Sequence, residues 1–272
     1  MTEYNVNVEI ESEVNKLYSK TNVIQKFTNP ESNPLELKIY VYKKNDIIFS
    51  SFSAQIGNSI KVKSKVIKKE KAEEKYTDSI SSGNAAIYVY EDKYANRIVI
   101  NMGNIPPSQE IIFISEFIQL TETSKKTYEF ELFRNLPIFM SDRHCFQNYN
   151  LKGEVQIKTK NKILKIEKNI LLKNLEIIEE QNRNDENENN YIIKYKILEL
   201  PKFRENYEYI PSSKIYFYID EYSDDEPIIY SQKSLINNNE KSYIITYKNN
   251  QQNDKDNIKI NPALFIFLID QS

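Results

Sequence analysis

The chain of 272 residues is long enough to bury a sizeable core in one or two domains. Its formal net charge of −2, from 37 basic and 39 acidic residues, excludes the strongly basic balance that favours nucleic acid or anionic lipid, and we expect neither partner. A single cysteine excludes an intramolecular disulfide framework, and the sequence shows neither a signal peptide nor the roughly 18 apolar residues of a membrane span, so we expect a cytoplasmic protein without membrane insertion.

Alternation of apolar and polar residues runs through the first 140 residues and predicts short β-strands. The first stretch, YNVNVEI, places Tyr4, Val6, Val8 and Ile10 on one face. LKIYVY, AAIYVYE, RIVINM and EIIFISEFIQL continue the pattern, with turn signals such as TNPESNP and GNIPPSQ between them. This half of the chain is therefore predicted to be β-rich.

One segment between these strands has helical character instead. KKEKAEEKYTDSISSG places Ala72, Tyr76 and Ile80 on one narrow apolar face of a helix of about three turns. Gly83 stands where a residue in the left-handed conformation commonly ends a helix. We expect a single amphipathic helix at about residues 69–82.

A basic stretch leads into this helix. Its lysines alternate with Val62 on the strand portion, as in a sheet with one wet face. A nucleic-acid patch would usually add interleaved aromatic or Arg side chains, and acidic residues follow here at once. We interpret the stretch as a solvated face, formed by Lys61, Lys63, Lys65, Lys68, Lys69 and Lys71.

The second half is also predicted to be β, with EVQIKT, NKILKIEK, YIIKYKILEL and KIYFYID as strands.

The strand pattern lapses near residues 140–150, which suggests a domain boundary. His144 and Cys145 lie there, and as neighbours on an extended chain they would point to opposite faces, which disfavours a nucleophile pair. The acidic runs at residues 185–188 and 221–227 lack the spacing of a calcium loop and are interpreted as solvated turns.

Three ordered stretches carry a resemblance to a known family. They are VIQKFTNPESNPLEL, the strand–hairpin–helix run from FSAQI to IYVYED, and INMGNIPPSQEIIFISEFIQ. Together they resemble the vault protein inter-alpha-trypsin (VIT) domain. We interpret Gly103 as permitting a turn that side chains disfavour, and Pro106 and Pro107 as fixing the entry to the next strand. The motif positions are Asn29, Pro30, Pro34, Gly83, Gly103, Asn104, Ile105, Pro106 and Pro107.

The last stretch, ALFIFLIDQS, resembles the opening strand of a von Willebrand factor A domain. In that family the strand ends in D-x-S-x-S, the first part of a metal-ion-dependent adhesion site, and Asp270 and Ser272 match its first two positions. Carboxylate and hydroxyl oxygens suit Mg²⁺. Because the remaining ligands are not present, we expect no functional metal site and no cofactor in this chain, with Mg²⁺ only if a complete A domain follows.

The resemblance implies a fold class, a domain order and a function. We expect a mainly β protein: a VIT-type β-sandwich at residues 1–140, a second β-sandwich-like linking domain at 145–262, and the first strand of an incomplete A domain at 263–272. Family members occur in vault-associated poly(ADP-ribose) polymerases, in inter-alpha-trypsin inhibitor heavy chains and in proteins that pair the VIT and A domains. The expected function is a non-catalytic scaffold or interaction module with protein partners. The alternative is the N-terminal part of a longer protein with metal-dependent adhesion or a downstream ADP-ribosyltransferase-like enzyme.

Overall fold

The computed structural model describes residues 5–15, 18–42, 47–58, 60–63, 68–92, 94, 97–124, 127–132, 138–140, 148–159, 162–169, 175–184, 189–197, 213–219, 228–233 and 241–246. These residues form β-strands and one α-helix, which confirms the predicted mainly β fold class. The chain divides into two compact units, Met1–Ile219 and Asp220–Ser272.

The described residues from Asn5 to Leu120 hold eight strands and the helix. They are β1 (Asn5–Val14), β2 (Tyr18–Thr28), β3 (Leu35–Tyr42), β4 (Ile47–Ile56), β5 (Ile60–Lys63), α1 (Lys69–Ser81), β6 (Ala86–Asp92), β7 (Arg97–Ile105) and β8 (Glu110–Leu120).

Ten further strands follow. In the first unit they are β9 (Glu122–Ser124), β10 (Thr127–Leu132), β11 (Ile138–Met140), β12 (Asn148–Thr159), β13 (Ile163–Asn169), β14 (Leu175–Asn184), β15 (Asn189–Ile197) and β16 (Ser213–Ile219). The second unit contains the two-stranded sheet of β17 (Ile228–Lys233) and β18 (Lys241–Thr246).

Three sheets build the first unit. Sheet A has eight strands in the order β14-β15-β12-β1-β2-β8-β4-β5, sheet B has the order β11-β3-β7-β6, and sheet C has the order β13-β16-β10-β9. The pair of β1 and β12 is parallel, and the other recorded pairs are antiparallel. This pairing joins β12 to β1. The domain boundaries predicted at residues 140, 145 and 263 stay predictions.

The core lies between the inner faces of these open sheets, as in a β-sandwich. Alternation in β1 places Val6, Val8 and Ile10 inside and the residues between them outside, as the sequence pattern predicts. Side chains of sheet B, such as Ile39 and Ile100, join the same buried cluster. Burying these apolar side chains supplies the main driving force for the fold.

Helix α1 confirms the predicted helix and shows how it ends. Ala72, Tyr76 and Ile80 are half-buried, and the other faces of the helix are largely exposed. Gly83 has φ of +77°, and its N–H donates to the carbonyl of Ile80 at 2.9 Å, while the N–H of Asn84 donates to the carbonyl of Ser79 at 2.9 Å. These two bonds form a Schellman motif, in which glycine adopts the left-handed conformation at least cost. Among the described residues, no helix has the length and apolar character that crossing a bilayer requires.

Candidate functional site

Two short segments connect sheets A and B at the same end of the sandwich. The first arch, residues 29–34, links β2 to β3, and the second arch, residues 106–109, links β7 to β8. Thr28 pairs with Glu110 in sheet A, and Leu35 pairs with Ile105 in sheet B. The arches therefore leave and enter paired strands and lie side by side.

Asn29 holds the two arches together. Its side chain is fully buried, and its Nδ2 donates to the carbonyls of Ile105 at 2.9 Å, Pro106 at 3.2 Å and Asn33 at 3.2 Å. Its Oδ1 accepts from the N–H of Glu31 at 2.9 Å, the geometry of an Asx turn. All polar groups of this buried amide are therefore hydrogen-bonded. The bonds to Glu31 and Asn33 fix the first arch, and the bonds to Ile105 and Pro106 hold the second arch against it.

The backbone of Asn29 adds two more bonds between the arches. Its N–H donates to the carbonyl of Gln109 at 3.0 Å, and its carbonyl accepts from the N–H of Ser108 at 2.9 Å. Ser108 has φ of +57°, so the second arch turns through the left-handed region directly after Pro107. We call this set of contacts around Asn29 the arch clamp.

Asn104 connects the arch clamp to the helix. Its backbone has φ of +52°, a conformation that asparagine tolerates better than most residues. Its Nδ2 donates to the carbonyl of Ile80 at 2.8 Å and to that of Asn84 at 3.3 Å. This side chain therefore caps the C-terminal end of α1, and the motif segments near residues 29–34, 80–84 and 103–107 meet at one end of the sandwich.

The structure corrects the predicted role of Gly103. The residue lies inside β7, and the left-handed turn conformation falls on Asn104 instead. A Cβ atom on Gly103 would stand 2.4 Å from Cδ1 of Ile80 and 2.8 Å from Oη of Tyr76. Glycine therefore lets the Ile80 and Tyr76 side chains of α1 approach the backbone of β7 closely, and a Cβ here would require the ends of these side chains to move.

A group of tyrosines under the helix was not singled out from the sequence. The ring of Tyr88 stacks on that of Tyr90 at 5.1 Å and lies 5.9 Å from that of Tyr76, and the Nζ of Lys69 stands 5.2 Å above the Tyr90 ring. The signal was present, because AAIYVY carries large apolar groups at both alternating sets of positions. That pattern is typical of a strand covered on both faces.

The polar face of sheet A forms a shallow groove of about 560 Å³ along β1, β2 and β12. Its charges pair across the strands, with Lys152 Nζ at 3.2 Å from Glu9 Oε1 and Lys20 Nζ at 2.6 Å from Glu116 Oε2. Burial acts to raise the pKa of Glu116, but hydrogen bonds from Lys20 and Ser50 outweigh it and leave the pKa below its usual value. These are ion pairs of a solvated sheet face, which contribute little each.

The described residues hold no group of three or more His, Cys, Asp or Glu side chains that could bind a metal ion. Asp270, Ser272, His144 and Cys145 lie outside the described part of the chain, as do the acidic runs at 185–188 and 221–227. Of the basic stretch, Lys61, Lys68, Lys69 and Lys71 are described and exposed. The expectations about cofactors, partners and localisation stay predictions.

Comparison with known proteins places these features in a family. Residues 5–117 match the vault protein inter-alpha-trypsin domain. A von Willebrand factor A domain-containing protein of Dictyostelium discoideum is 31% identical over 104 residues, which are 38% of this chain and 11% of that protein. A second such protein from the same organism is 28% identical over 155 residues, 55% of this chain and 16% of that protein.

The chain therefore spans about a tenth to a sixth of the length of these relatives. Among solved structures, the aminopeptidase A of Legionella pneumophila aligns with 90% of this chain and 24% of its own, at 12% identity and a TM-score of 0.38, which supports no inference about function. The family match covers β1 to β7, most of β8, the helix and both arches that form the arch clamp. Residues 5–117 of this chain are a vault protein inter-alpha-trypsin domain.

Proposed function

We propose that the chain is a non-catalytic protein–protein interaction module that acts as a scaffold. The proposal rests on the hydrogen bonds that the asparagines of the family motif make. The polar groups of Asn29 and the side-chain amide of Asn104 bond to carbonyl and N–H groups of the chain's own backbone. Groups engaged in this way hold a fold together and are not free to bind or transform a substrate.

The electrostatics of the described residues agree with this proposal. Catalytic acids and bases are commonly recognised by a strongly shifted pKa inside a cleft. The pKa of Glu116 and that of Glu180 are lowered, and in both cases lysine and hydroxyl partners on the exposed sheet face account for the lowering. Such groups are matched to neighbours that stabilise their charge, which is a structural arrangement.

The test is to capture a partner with the tagged chain, reconstitute the purified pair, and map the complex by chemical cross-linking. The proposal predicts saturable binding at a fixed stoichiometry, with cross-links concentrated in residues 5–117. Binding that does not saturate, or cross-links that avoid residues 5–117 entirely, would overturn it.

A second candidate function follows from the names and lengths of the relatives. Both Dictyostelium proteins are named for a von Willebrand factor A domain, and the matched region is a small part of each. This chain would then be the N-terminal part of a longer protein whose activity is metal-dependent adhesion or a downstream ADP-ribosyltransferase-like reaction. An immunoblot with an antibody to residues 5–117 separates the candidates: a native product near 32.2 kDa favours the free-standing module, and a much larger product favours the longer protein.

A further inference from the structure

The free edge of strand β6 differs from the other described edges of sheets A, B and C. In sheets A, B and C, the edge strands β5, β9 and β11 have only three or four residues, and β13 and β14 carry register shifts. Short or bulged edges are how natural sheets avoid pairing with other chains. β6 has seven residues and pairs with β7 in unbroken register, so neither device protects it, and its two charged residues, Glu91 and Asp92, lie at its C-terminal end.

The side chains of β6 also remain half-covered. Ile87 and Val89 point to the core but are only half-buried, whereas their direct neighbours on β7, Met102 and Ile100, are 1% and 0% exposed. The five residues 86–90 carry no charge. A strand added at this edge would increase the burial of Val89, and in part that of Ile87, and would satisfy the outer row of backbone groups.

The outer face beside this edge carries charges of both signs in a definite order. Lys69, at the N-terminal end of α1, lies over the ring of Tyr90. Glu73 lies about one helical turn before Tyr76, whose ring stands 5.9 Å from that of Tyr88. In agreement with this placement, the pKa of Tyr88 is raised chiefly by burial and then by Glu73, Tyr90 and Glu70. Along β6 the helix therefore places negative charge beside Tyr88 and positive charge beside Tyr90, and the carboxylate of Asp92, next on this face, is paired with Arg97 at 3.0 Å.

We propose that a second copy of this chain pairs with β6 through its own β6, antiparallel and with Val89 on the two-fold axis. In this register Tyr88 stands opposite Tyr90 of the second copy, and Val89 opposite its own counterpart. The positive charge of Lys69 from one copy then faces the negative charge of Glu70 and Glu73 on the other. A two-fold interface requires this kind of self-complementary surface. The dimer concerns the chain itself and does not depend on the proposed function.

The proposed register makes aromatic pairs across the new strand boundary. Directly opposite residues of an antiparallel pair point to the same face, so the Tyr88–Tyr90 stack of each copy continues into that of the other. The helices α1 of the two copies lie on the same outer face and run in opposite directions. The result is a continuous eight-stranded sheet made from two copies of the four-stranded sheet B.

Sedimentation equilibrium of the full chain across the micromolar range tests the proposal first. We expect a dimer, and we expect Tyr90→Glu to weaken it by at least about tenfold because it sets a third carboxylate against Glu70 and Glu73 of the other copy. Tyr94→Glu is the matched control, since Tyr94 is fully exposed and lies outside β6, and it should leave the dimer unchanged. A monomeric wild-type chain, or a dimer that folded Tyr90→Glu leaves intact, would overturn the proposal.

A cross-linking variant tests the register without weakening the interface. Directly opposite residues in antiparallel strands have Cα atoms about 4.5–5.5 Å apart, within the range of about 4.4–6.8 Å that disulfides span. In a Cys145→Ser background, Val89→Cys should therefore oxidise to a covalent dimer, and Tyr94→Cys should not. Failure of Val89→Cys to cross-link, or equal cross-linking by both variants, contradicts a two-fold axis at Val89.

Discussion

The side-chain amide of Asn29 donates a 2.9 Å hydrogen bond to the carbonyl of Ile105, which lies 76 residues further along the chain. The bond joins the start of the first arch to the end of β7, where Ile105 is itself fully buried. It ties the NP turn of this chain to its GNIPP segment. Each segment supplies a polar group that the other must bond.

The prolines of the family motif have a structural role in the arch clamp. Pro30 and Pro34 flank the first arch and are exposed, and they restrict its backbone where Asn29 supplies the bonds. Pro106 offers its carbonyl to Asn29, and a proline can do so without an N–H of its own to satisfy. Prolines therefore restrict the backbone of both arches that Asn29 joins.

The close contact between α1 and β7 predicts that a methyl group added at Gly103 lowers the stability of the fold. Gly103→Ala would displace the flexible ends of the Ile80 and Tyr76 side chains, so the free energy of unfolding should fall by about 1 kcal/mol, the lower end of the cost of overpacking. Hydrogen exchange should show faster opening of the backbone around residues 76–84. Both effects are measurable by urea denaturation and mass spectrometry of the exchanged chain.

A second variant separates this contact from a general loss of stability. Ile80→Val removes Cδ1, the side-chain atom that would lie 2.4 Å from the new Cβ. In the double variant the two changes should therefore cost less than the sum of their separate costs. Strict additivity would show that α1 does not lie on Gly103 as described.

Replacing Gln25 should stabilise the folded protein. Its side chain is fully buried in sheet A between Val8 and Phe113, and neither Nε2 nor Oε1 has a hydrogen-bond partner. Burying an unbonded amide costs about 1–3 kcal/mol, so Gln25→Met should raise the free energy of unfolding by an amount of that order. Gln55→Met is the matched control, because Gln55 donates to the carbonyl of Gly57 at 2.9 Å and should gain nothing. A loss of stability in Gln25→Met would contradict this account of the core.

Much of the fold was predictable from the sequence, and the exceptions have physical causes. Alternation revealed strands such as β1 because one face of each is wet, and the helix was revealed by the spacing of Ala72, Tyr76 and Ile80. The role of Gly103 was misread because its need for glycine comes from a helix that approaches from elsewhere in the chain. The parallel pairing of β1 with β12 was not predicted, since local patterns carry no information on which distant strands pair.

Tyr191 predicts a loss of stability at alkaline pH. Burial and then the hydrogen bond to Glu180, 2.8 Å from its hydroxyl, raise the pKa of Tyr191 from 10.0 to about 12. The folded state therefore keeps this proton while the unfolded state loses it. The stabilisation from Tyr191 is fully present below pH of about 10 and is lost as the pH rises towards about 12.

Urea denaturation at a series of pH values tests this assignment. Compared with wild type, Tyr191→Phe should lose less stability between pH of about 10 and about 12, because it has no proton to release there. Tyr94→Phe, changed at a fully exposed ring, should follow wild type. A Tyr191→Phe curve parallel to wild type across this range would refute the role of Tyr191.

The most direct test of the arch clamp compares two asparagines of the same arch by urea denaturation. Asn29→Ala removes the buried amide and leaves the carbonyls of Ile105 and Pro106 without their donor, so the free energy of unfolding should fall by about 2–4 kcal/mol. Asn33→Ala changes an exposed side chain and keeps the backbone carbonyl that Asn29 contacts, so it should stay within about 0.5 kcal/mol of wild type. Equal stability of the two variants would contradict the claim that Asn29 joins the arches.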